Sequence, residues 1–382
     1  MGMILFWISV VLALAGIGYL LASARNIRRF SKAIRASHML ASPVPVSLLK
    51  PLHGAEPRLA ANLASFFDQQ WDAPVQIVAG VGDDRDQAIP ALQALTTAPP
   101  RRDATLVVSP RRHGANAKIS NLINMMPMAQ HDIIILSDSD IAVPPDYLRR
   151  VAGALAQPGV GAVTCVYAGR GDAGFWSRLA AANLSYFFLP DVLTSVALDT
   201  GGACMGSTIG LRRETLERIG GFSAFADVLA DDHAIGAAVR ALGLTVAVAP
   251  VVVTHASTDA SCAALVRHEL RWAATVRELG TARYVGLAMT MPLPFALLAA
   301  AIRPDLATAA LIALALMARL LSARTIDRLV GCRTAAWWIL PPRELLRFAI
   351  FVAGFFVRKV DWRGEKLNML GAGRIGHTVR AS

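Results

Sequence analysis

The chain has 382 residues, 54% of them hydrophobic and 17% charged, with a formal net charge of +11 at pH 7. So apolar a composition excludes an ordinary soluble enzyme, yet a long stretch of mixed composition leaves room for one domain of about 200 residues. Many of the basic residues sit beside the hydrophobic segments, where they meet anionic lipid headgroups, and no base-reading motif or aromatic-basic interleaving points to nucleic acid.

Residues 3–22 run for about 20 positions without a charge, enough to cross a hydrocarbon core of about 30 Å. A cleaved signal peptide is the alternative, because Ala22-Ser23-Ala24 resembles a cleavage site; against it, a basic leader is missing and the run exceeds the usual 7 to 15 apolar residues or so. Arg25, Arg28, Arg29, Lys32 and Arg35 follow, with no acid before Glu56, so the positive-inside rule places this flank in the cytoplasm and the amino terminus outside. The reading is a transmembrane helix over 1–24 and a basic cytoplasmic linker over 25–42. Cys165, Cys204, Cys262 and Cys332 are far apart without zinc spacing, which suits a reduced compartment and buried filler roles.

From residue 43 short apolar runs alternate with helical stretches. Strands are predicted at 46–49, 75–81, 105–108 and 133–136, with helices at 58–69, 86–95 and 118–128 between them. That alternation predicts an α/β layer with a mainly parallel sheet and right-handed crossovers. The run 133–136 ends abruptly in Ser137-Asp138-Ser139-Asp140. Carboxylates at the carboxyl end of a buried strand face the ligand crevice of an open α/β sheet, and two of them one residue apart can present oxygens to Mg²⁺ or Mn²⁺. An Asx-type turn explains the same residues equally well.

Residues 160–167 then read as a strand and 175–189 as a helix. The glycine-rich stretch 201–206 is either a loop that admits a ligand close to the backbone or a tight turn before 210–219. Asp231-Asp232 opens an amphipathic helix to Leu242, where acids complement the helix dipole; the dipole explains one aspartate but does not demand two. Asp84, Asp86 and Asp231 read as solvated or capping acids. A helix over 262–279 carries His268, Glu269, Arg271 and Trp272.

Apolar runs at 284–302 and 306–321, split by Arg303-Pro304-Asp305, predict a transmembrane hairpin whose return end is basic. Residues 335–357 allow two readings. Trp337, Trp338, the Pro341-Pro342 break and the charged Arg343, Glu344 and Arg347 favour interfacial helices, and a further span is the alternative. The predicted domain over 43–280 is thus followed by membrane or interfacial helices over 281–357 and a basic tail over 358–382.

Leu49-Lys50-Pro51-Leu52-His53-Gly54, Val81-Gly82-Asp83, Lys118-x-x-Asn121-Leu122, Asp138-Ser139-Asp140-Ile141, Asp231-Asp232 and Arg271-Trp272 together resemble the ceramide glucosyltransferases of glycosyltransferase family 21, whose bacterial relatives include enzymes that glycosylate hopanoids. The resemblance covers about residues 43–280. It implies a GT-A-type nucleotide-sugar-binding domain flanked by transmembrane helices, in a multi-pass protein of the bacterial inner membrane with its catalytic domain in the cytoplasm. The implied reaction is inverting transfer of glucose or N-acetylglucosamine from a UDP-sugar to the hydroxyl of a membrane lipid, with Mg²⁺ or Mn²⁺ as cofactor.

The resemblance also implies residue roles. Asp83 lies near uracil and ribose, Asp138 and Asp140 manage metal and diphosphate, and Asp232 is the general base. Arg271 faces the departing diphosphate, Trp272 packs on acceptor or sugar, and Lys118, Gly206 and His268 belong to the donor-binding set; exposed helix polarity explains Lys118 and Asn121 equally well, and a helix-surface cation–π or packing pair is the alternative for Arg271-Trp272. His268 stands where the family carries Gln or Arg, with Arg267 one residue early, which leaves that position's role open. A hopanoid polyol such as bacteriohopanetetrol is the expected acceptor, from the Ala- and Arg-rich bacterial character of the chain, with ceramide second. Two rivals stay open: a processive polysaccharide synthase, for which three or four spans offer little channel, and a catalytically silent membrane scaffold, against which the retained acids argue.

Overall fold

A strand covered on both faces needs continuous Val, Ile and Leu, whereas the helix that covers it needs only one apolar stripe. In the computed structural model these patterns become strands β1 (Val46–Pro51), β2 (Val75–Val81), β3 (Asp103–Val108), β4 (Ile133–Leu136), β5 (Ile141–Ala142), β6 (Val160–Gly171), β7 (Ile209–Arg212) and β8 (Thr245–Ser257). The structure describes residues 1–36, 43–97, 103–199, 204–357, 359–362, 365–369 and 375–377, so 201–203 of the glycine-rich stretch lie outside the described residues.

The eight strands form one sheet in the order β3-β2-β1-β4-β7-β6-β8-β5. β3, β2, β1 and β4 pair in parallel, while β7 runs antiparallel to β4, β6 to β7, and β5 to β8. The sheet is therefore mixed: the expected parallel half is present, and β7 and β5 bring antiparallel pairs into the remainder. An apolar run identifies a strand but not its direction, so periodicity alone does not reveal this second half.

β1 is the centre of the parallel half, with Val46 opposite both Val75 and Ile133, and all six of its residues are buried. Its polar residues are accommodated by partners: Ser47 Oγ donates to Gln76 Oε1 at 2.8 Å, and Gln76 Nε2 donates to Met128 O at 2.9 Å. Leu49, Val78, Leu122, Ile134, Ile209 and Ile235 share one core cluster.

The chain divides into two compact units. A sheet unit joins Ala33–Tyr167, Asp199–Thr258 and Gly373–Ser382, and a helical unit joins Met1–Lys32, Ala168–Leu198 and Asp259–Ala372. In the helical unit, Lys359–Trp362 and Glu365–Met369 pair antiparallel. Among the described residues, three helices are long and apolar enough to cross a membrane, Gly2–Ala36, Phe175–Ala197 and Leu306–Val330, and the pair Thr281–Thr290 and Pro292–Ile302, bent by 67°, is a fourth candidate. Phe175–Ala197 was not expected as a span, because Arg178 and Asp191 dilute its hydropathy. Asp305 caps Leu306–Val330 by accepting the Thr308 N–H at 2.9 Å. Phe6, Ala13, Ala296, Ala299, Leu311 and Ala315 pack together, small residues allowing helices to approach closely.

Arg343 and Glu344, which the sequence reading takes as marks of interfacial helices, are both buried within the protein. Their helix, Leu340–Gly354, has 15 residues and at about 1.5 Å per residue is short for a ~30 Å core. Burial is tolerated because every charge finds a partner. Arg343 pairs with Glu269, Arg319 Nε lies 2.8 Å from Glu344 Oε2, and Arg347 lies 2.6 Å from Asp191, which also accepts the Tyr19 hydroxyl at 2.8 Å. Glu344 further accepts the Leu293 N–H at 2.9 Å, one of the orphan donors where Pro292–Ile302 begins.

Three arginines thus meet three carboxylates. Glu344→Leu leaves Arg319 as an uncompensated buried cation and should reduce stability by about 3 to 5 kcal/mol, while Arg319→Met together with Glu344→Leu should recover most of that loss. Thermal unfolding of the detergent-solubilised variants checks this, and an unchanged midpoint for the single variant would contradict the pairing.

Candidate active site

β4 delivers the acids. The ladder continues one residue beyond it, with Ser137 N–H donating to Leu49 O at 3.1 Å, and the chain then turns through Asp138-Ser139-Asp140. Ser139 is buried and donates to Glu56 Oε1 at 2.8 Å, which pins the middle of the turn. Lys50, fully buried on neighbouring β1, donates to the Asp138 carbonyl and to Ser137 Oγ at 3.3 Å, and its Nζ lies 3.8 Å from the Phe66 ring centroid. Burial pushes its ammonium down to about 7, against the opposing pull of Asp138, Asp140 and Glu56. Lys50 belongs to a quoted motif, but nothing in the sequence marks it as the support of this turn.

The helix Ala117–Met125 supplies Lys118. Asn116 caps it, its side-chain oxygen accepting the Ile119 N–H at 3.0 Å, while its amide donates to Val228 O at 2.7 Å. Asn121 on the same helix donates to Gly80 O of β2 at 2.8 Å, so its role is to seat the helix on the sheet. Lys118 Nζ then lies 2.7 Å from Asp138 Oδ1 and 3.3 Å from Asp231 Oδ2. Asp231 is therefore a buried ion-pair partner, where the sequence reading takes it as a solvated or capping acid.

Asp232 opens the helix Asp231–Ala241 and accepts two backbone donors, His233 N–H at 2.7 Å and Gly206 N–H at 3.0 Å. Burial, and next the Asp231 charge, push its carboxyl up to about 6; Lys118 and the two N–H groups oppose the rise. Gly206 is where the cluster closes. A Cβ there would lie 3.2 Å from Asp138 Oδ2, 3.3 Å from Lys118 Nζ and 3.6 Å from Asp232 Oδ2, so a side chain at this position would press on the Asp138 and Lys118 head groups. Its loop is held by Met205, whose N–H and carbonyl both bond Thr164 Oγ1, and by Ser207, which donates to Cys165 O.

This is a carboxylate cluster at the carboxyl end of a nucleotide-binding type of sheet, and its order along the chain has a family. The glycosyl transferase family 21 profile matches residues 8–375. The chain belongs to glycosyltransferase family 21. Ceramide glucosyltransferase 1 of Caenorhabditis elegans is 23% identical over 250 residues, covering 63% of this chain and 52% of its own length. The ceramide glucosyltransferase of Gibberella zeae is 30% identical over 168 residues, covering 41% and 31%. The chain spans about half the length of the first of these curated relatives. A mannosyltransferase from Pyrobaculum calidifontis, solved in complex with GDP-Man and Mn²⁺, is 21% identical with a TM-score of 0.56 over 92% of this chain and 99% of that one, and the fold is accordingly of the GT-A type.

Asp83 and the group His268, Arg271 and Trp272 are the two further motifs of the resemblance. Asp83 follows β2, is exposed, and accepts the Arg85 N–H at 2.8 Å, a contact that holds its carboxyl below the usual range. His268, Arg271 and Trp272 belong to the helical unit, on the helix Cys262–Leu279 capped by Ser261. Their i, i+3, i+4 spacing puts them on one helix face. His268 Nδ1 lies 3.2 Å from Asp259 Oδ2, and Trp272 packs edge-on against His268 with centroids 5.0 Å apart. Glu269, between them in sequence, is the buried partner of Arg343.

Asp140 has a partner that spacing did not reveal. His255 Nε2, from β8, lies 3.3 Å from Asp140 Oδ2 and stacks on Tyr167. Asp140 Oδ1 is buried without a hydrogen-bond partner among the described residues, which leaves one acceptor oxygen for a cation. No group of three or more His, Cys, Asp or Glu spaced to hold a metal ion occurs among the described residues. Two carboxylates nevertheless fit a hard cation of the Mg²⁺ type, which ordinarily takes one or two protein carboxylates and completes its shell with substrate phosphates and water.

Gly206→Ala tests the closeness of the cluster. With the nearest atoms at 3.2 to 3.6 Å, the added methyl should displace the acids and lower the transfer rate by about 10- to 100-fold while barely moving the unfolding midpoint. Wild-type turnover in this variant would mean the cluster is looser than described.

Proposed function

We propose that this family 21 member transfers a sugar from a UDP-sugar to a hydroxyl of a membrane lipid, with inversion, at the cytoplasmic face of a bacterial inner membrane. The observation that carries the reading is the convergence of Asp138, Lys118 and Asp232 around Gly206. Asp232 takes the proton of the acceptor hydroxyl as its oxygen bonds to the anomeric carbon. The bond from that carbon to the diphosphate oxygen breaks in the same displacement, and its electron pair leaves with UDP. One base and a single displacement give inversion. A carboxyl near 6 is ionised at neutral pH yet basic enough to accept a proton in the transition state.

Asp138 and Asp140 would hold the Mg²⁺ or Mn²⁺, whose chemistry when bound is to neutralise charge on the diphosphate. The Mn²⁺ in the mannosyltransferase of like fold is consistent with that assignment. Lys118 would meet the departing diphosphate as a point charge. The roles of Asp83 toward the uridine, and of His268, Arg271 and Trp272 toward donor and acceptor, rest on the family resemblance. Positive flanks such as Arg25 to Arg35 support the cytoplasmic orientation and contact with anionic headgroups.

A hopanoid polyol such as bacteriohopanetetrol is the proposed acceptor. Ceramide is the second reading, favoured by the ceramide glucosyltransferases among the relatives. Purified full-length protein in detergent, given radiolabelled UDP-glucose or UDP-N-acetylglucosamine with Mg²⁺ or Mn²⁺, decides between them. Labelled hopanoid supports the first reading and labelled ceramide the second; no labelled lipid from folded protein overturns both.

The rate should fall about tenfold per pH unit below about pH 6, as Asp232 becomes protonated, and level off above it. Asp232→Asn should remove that limb and cost about 10²- to 10⁴-fold in rate. A full-rate Asp232→Asn enzyme would refute the base assignment.

A further inference from the structure

Lys118 stands where a second cation would have to enter. Its Nζ is 2.7 Å from Asp138 Oδ1 and 3.3 Å from Asp231 Oδ2, and the side chain is 13% exposed. Lys50 supports the same turn through the Asp138 carbonyl and Ser137 and leaves the Asp138 carboxylate to Lys118. A divalent ion bound to Asp138 would then lie beside an ammonium group, and like charges at such range repel in a site sheltered from water. The same ammonium ends a flexible four-carbon stem, which lets it exchange one anionic partner for another.

We propose that Lys118 is a resident cation that competes with the divalent metal for Asp138 in the donor-free protein and moves to the diphosphate when the donor binds. Metal and nucleotide then bind cooperatively, because the diphosphate draws the ammonium off Asp138 Oδ1 and frees that oxygen. Coupling of this kind is reciprocal: the metal must favour the nucleotide by the same factor. The inference rests on the proposed metal role of Asp138, and its second half also on the UDP-sugar reading.

Full-length protein in detergent is titrated with Mn²⁺, following free Mn²⁺ by electron paramagnetic resonance, with and without UDP. Wild type should bind Mn²⁺ about 5- to 150-fold more tightly with UDP present, the ordinary range of such couplings. Lys118→Met should bind Mn²⁺ alone more tightly than wild type, and its UDP-dependent gain should shrink toward one. Lys118→Arg, which keeps the cation, should retain the coupling, and circular dichroism controls for folding. As a second readout, Mn²⁺ without UDP should raise the unfolding midpoint more in Lys118→Met than in wild type.

Unchanged or weaker Mn²⁺ binding by folded Lys118→Met overturns the proposal, as does a wild type that binds no Mn²⁺ even with UDP. If UDP fails to act on wild type, the UDP-sugar reading falls, while the titrations without UDP still decide the competition at Asp138.

Discussion

The parallel register of β1 against β4 is the constraint on which the sheet unit's chemistry depends. Leu49 lies opposite Leu136, so the next residues along, Lys50 and Ser137, come side by side at the carboxyl ends of both strands. A shift of one residue would turn Lys50 to the opposite face and leave the Asp138 turn without its buried support. Parallel pairing makes this possible because both strands end at the same edge, where the helix Ala117–Met125 also begins. The acids of β4 therefore meet one lysine from a strand and another from a helix, each on a different atom.

Four carboxylates collected near one edge would repel one another strongly if left bare. Each is answered differently: Asp138 and Asp231 by Lys118, Asp232 by two backbone N–H groups, and Asp140 by His255. The helical unit meets its own charges by another route, cancelling arginine against carboxylate in buried pairs between helices. The first arrangement leaves one carboxyl, that of Asp232, perturbed toward neutrality. In the second the opposite charges are matched within the bundle, which suits a scaffold.

Asp138, Asp140 and Asp232 were legible because each ends an apolar run or opens an amphipathic one, where position alone makes a carboxylate conspicuous. Lys50 was not, since it hides inside a continuous apolar strand and its meaning comes from the neighbouring strand. Asp231 looked like a dipole-complementing acid until Lys118, 113 positions earlier in the numbering, was found beside it. Arg343, Glu344 and Arg347 read as marks of interfacial helices because a sequence shows a charge but not its distant partner. For the same reason the parallel half of the sheet followed from alternation, while the antiparallel pairs of β7 and β5 required the pairing itself.

The ion pair between Arg319 and Glu344 also bears on biogenesis. Glu344 follows Arg319 by 25 positions, so a ribosome completes the helix Leu306–Val330 before the carboxylate that neutralises its arginine has been made. An unpaired arginine at the centre of an inserting helix is penalised by about 2.5 to 3.5 kcal/mol. Until Leu340–Gly354 has been made, Leu306–Val330 therefore carries that charge without the carboxylate that answers it.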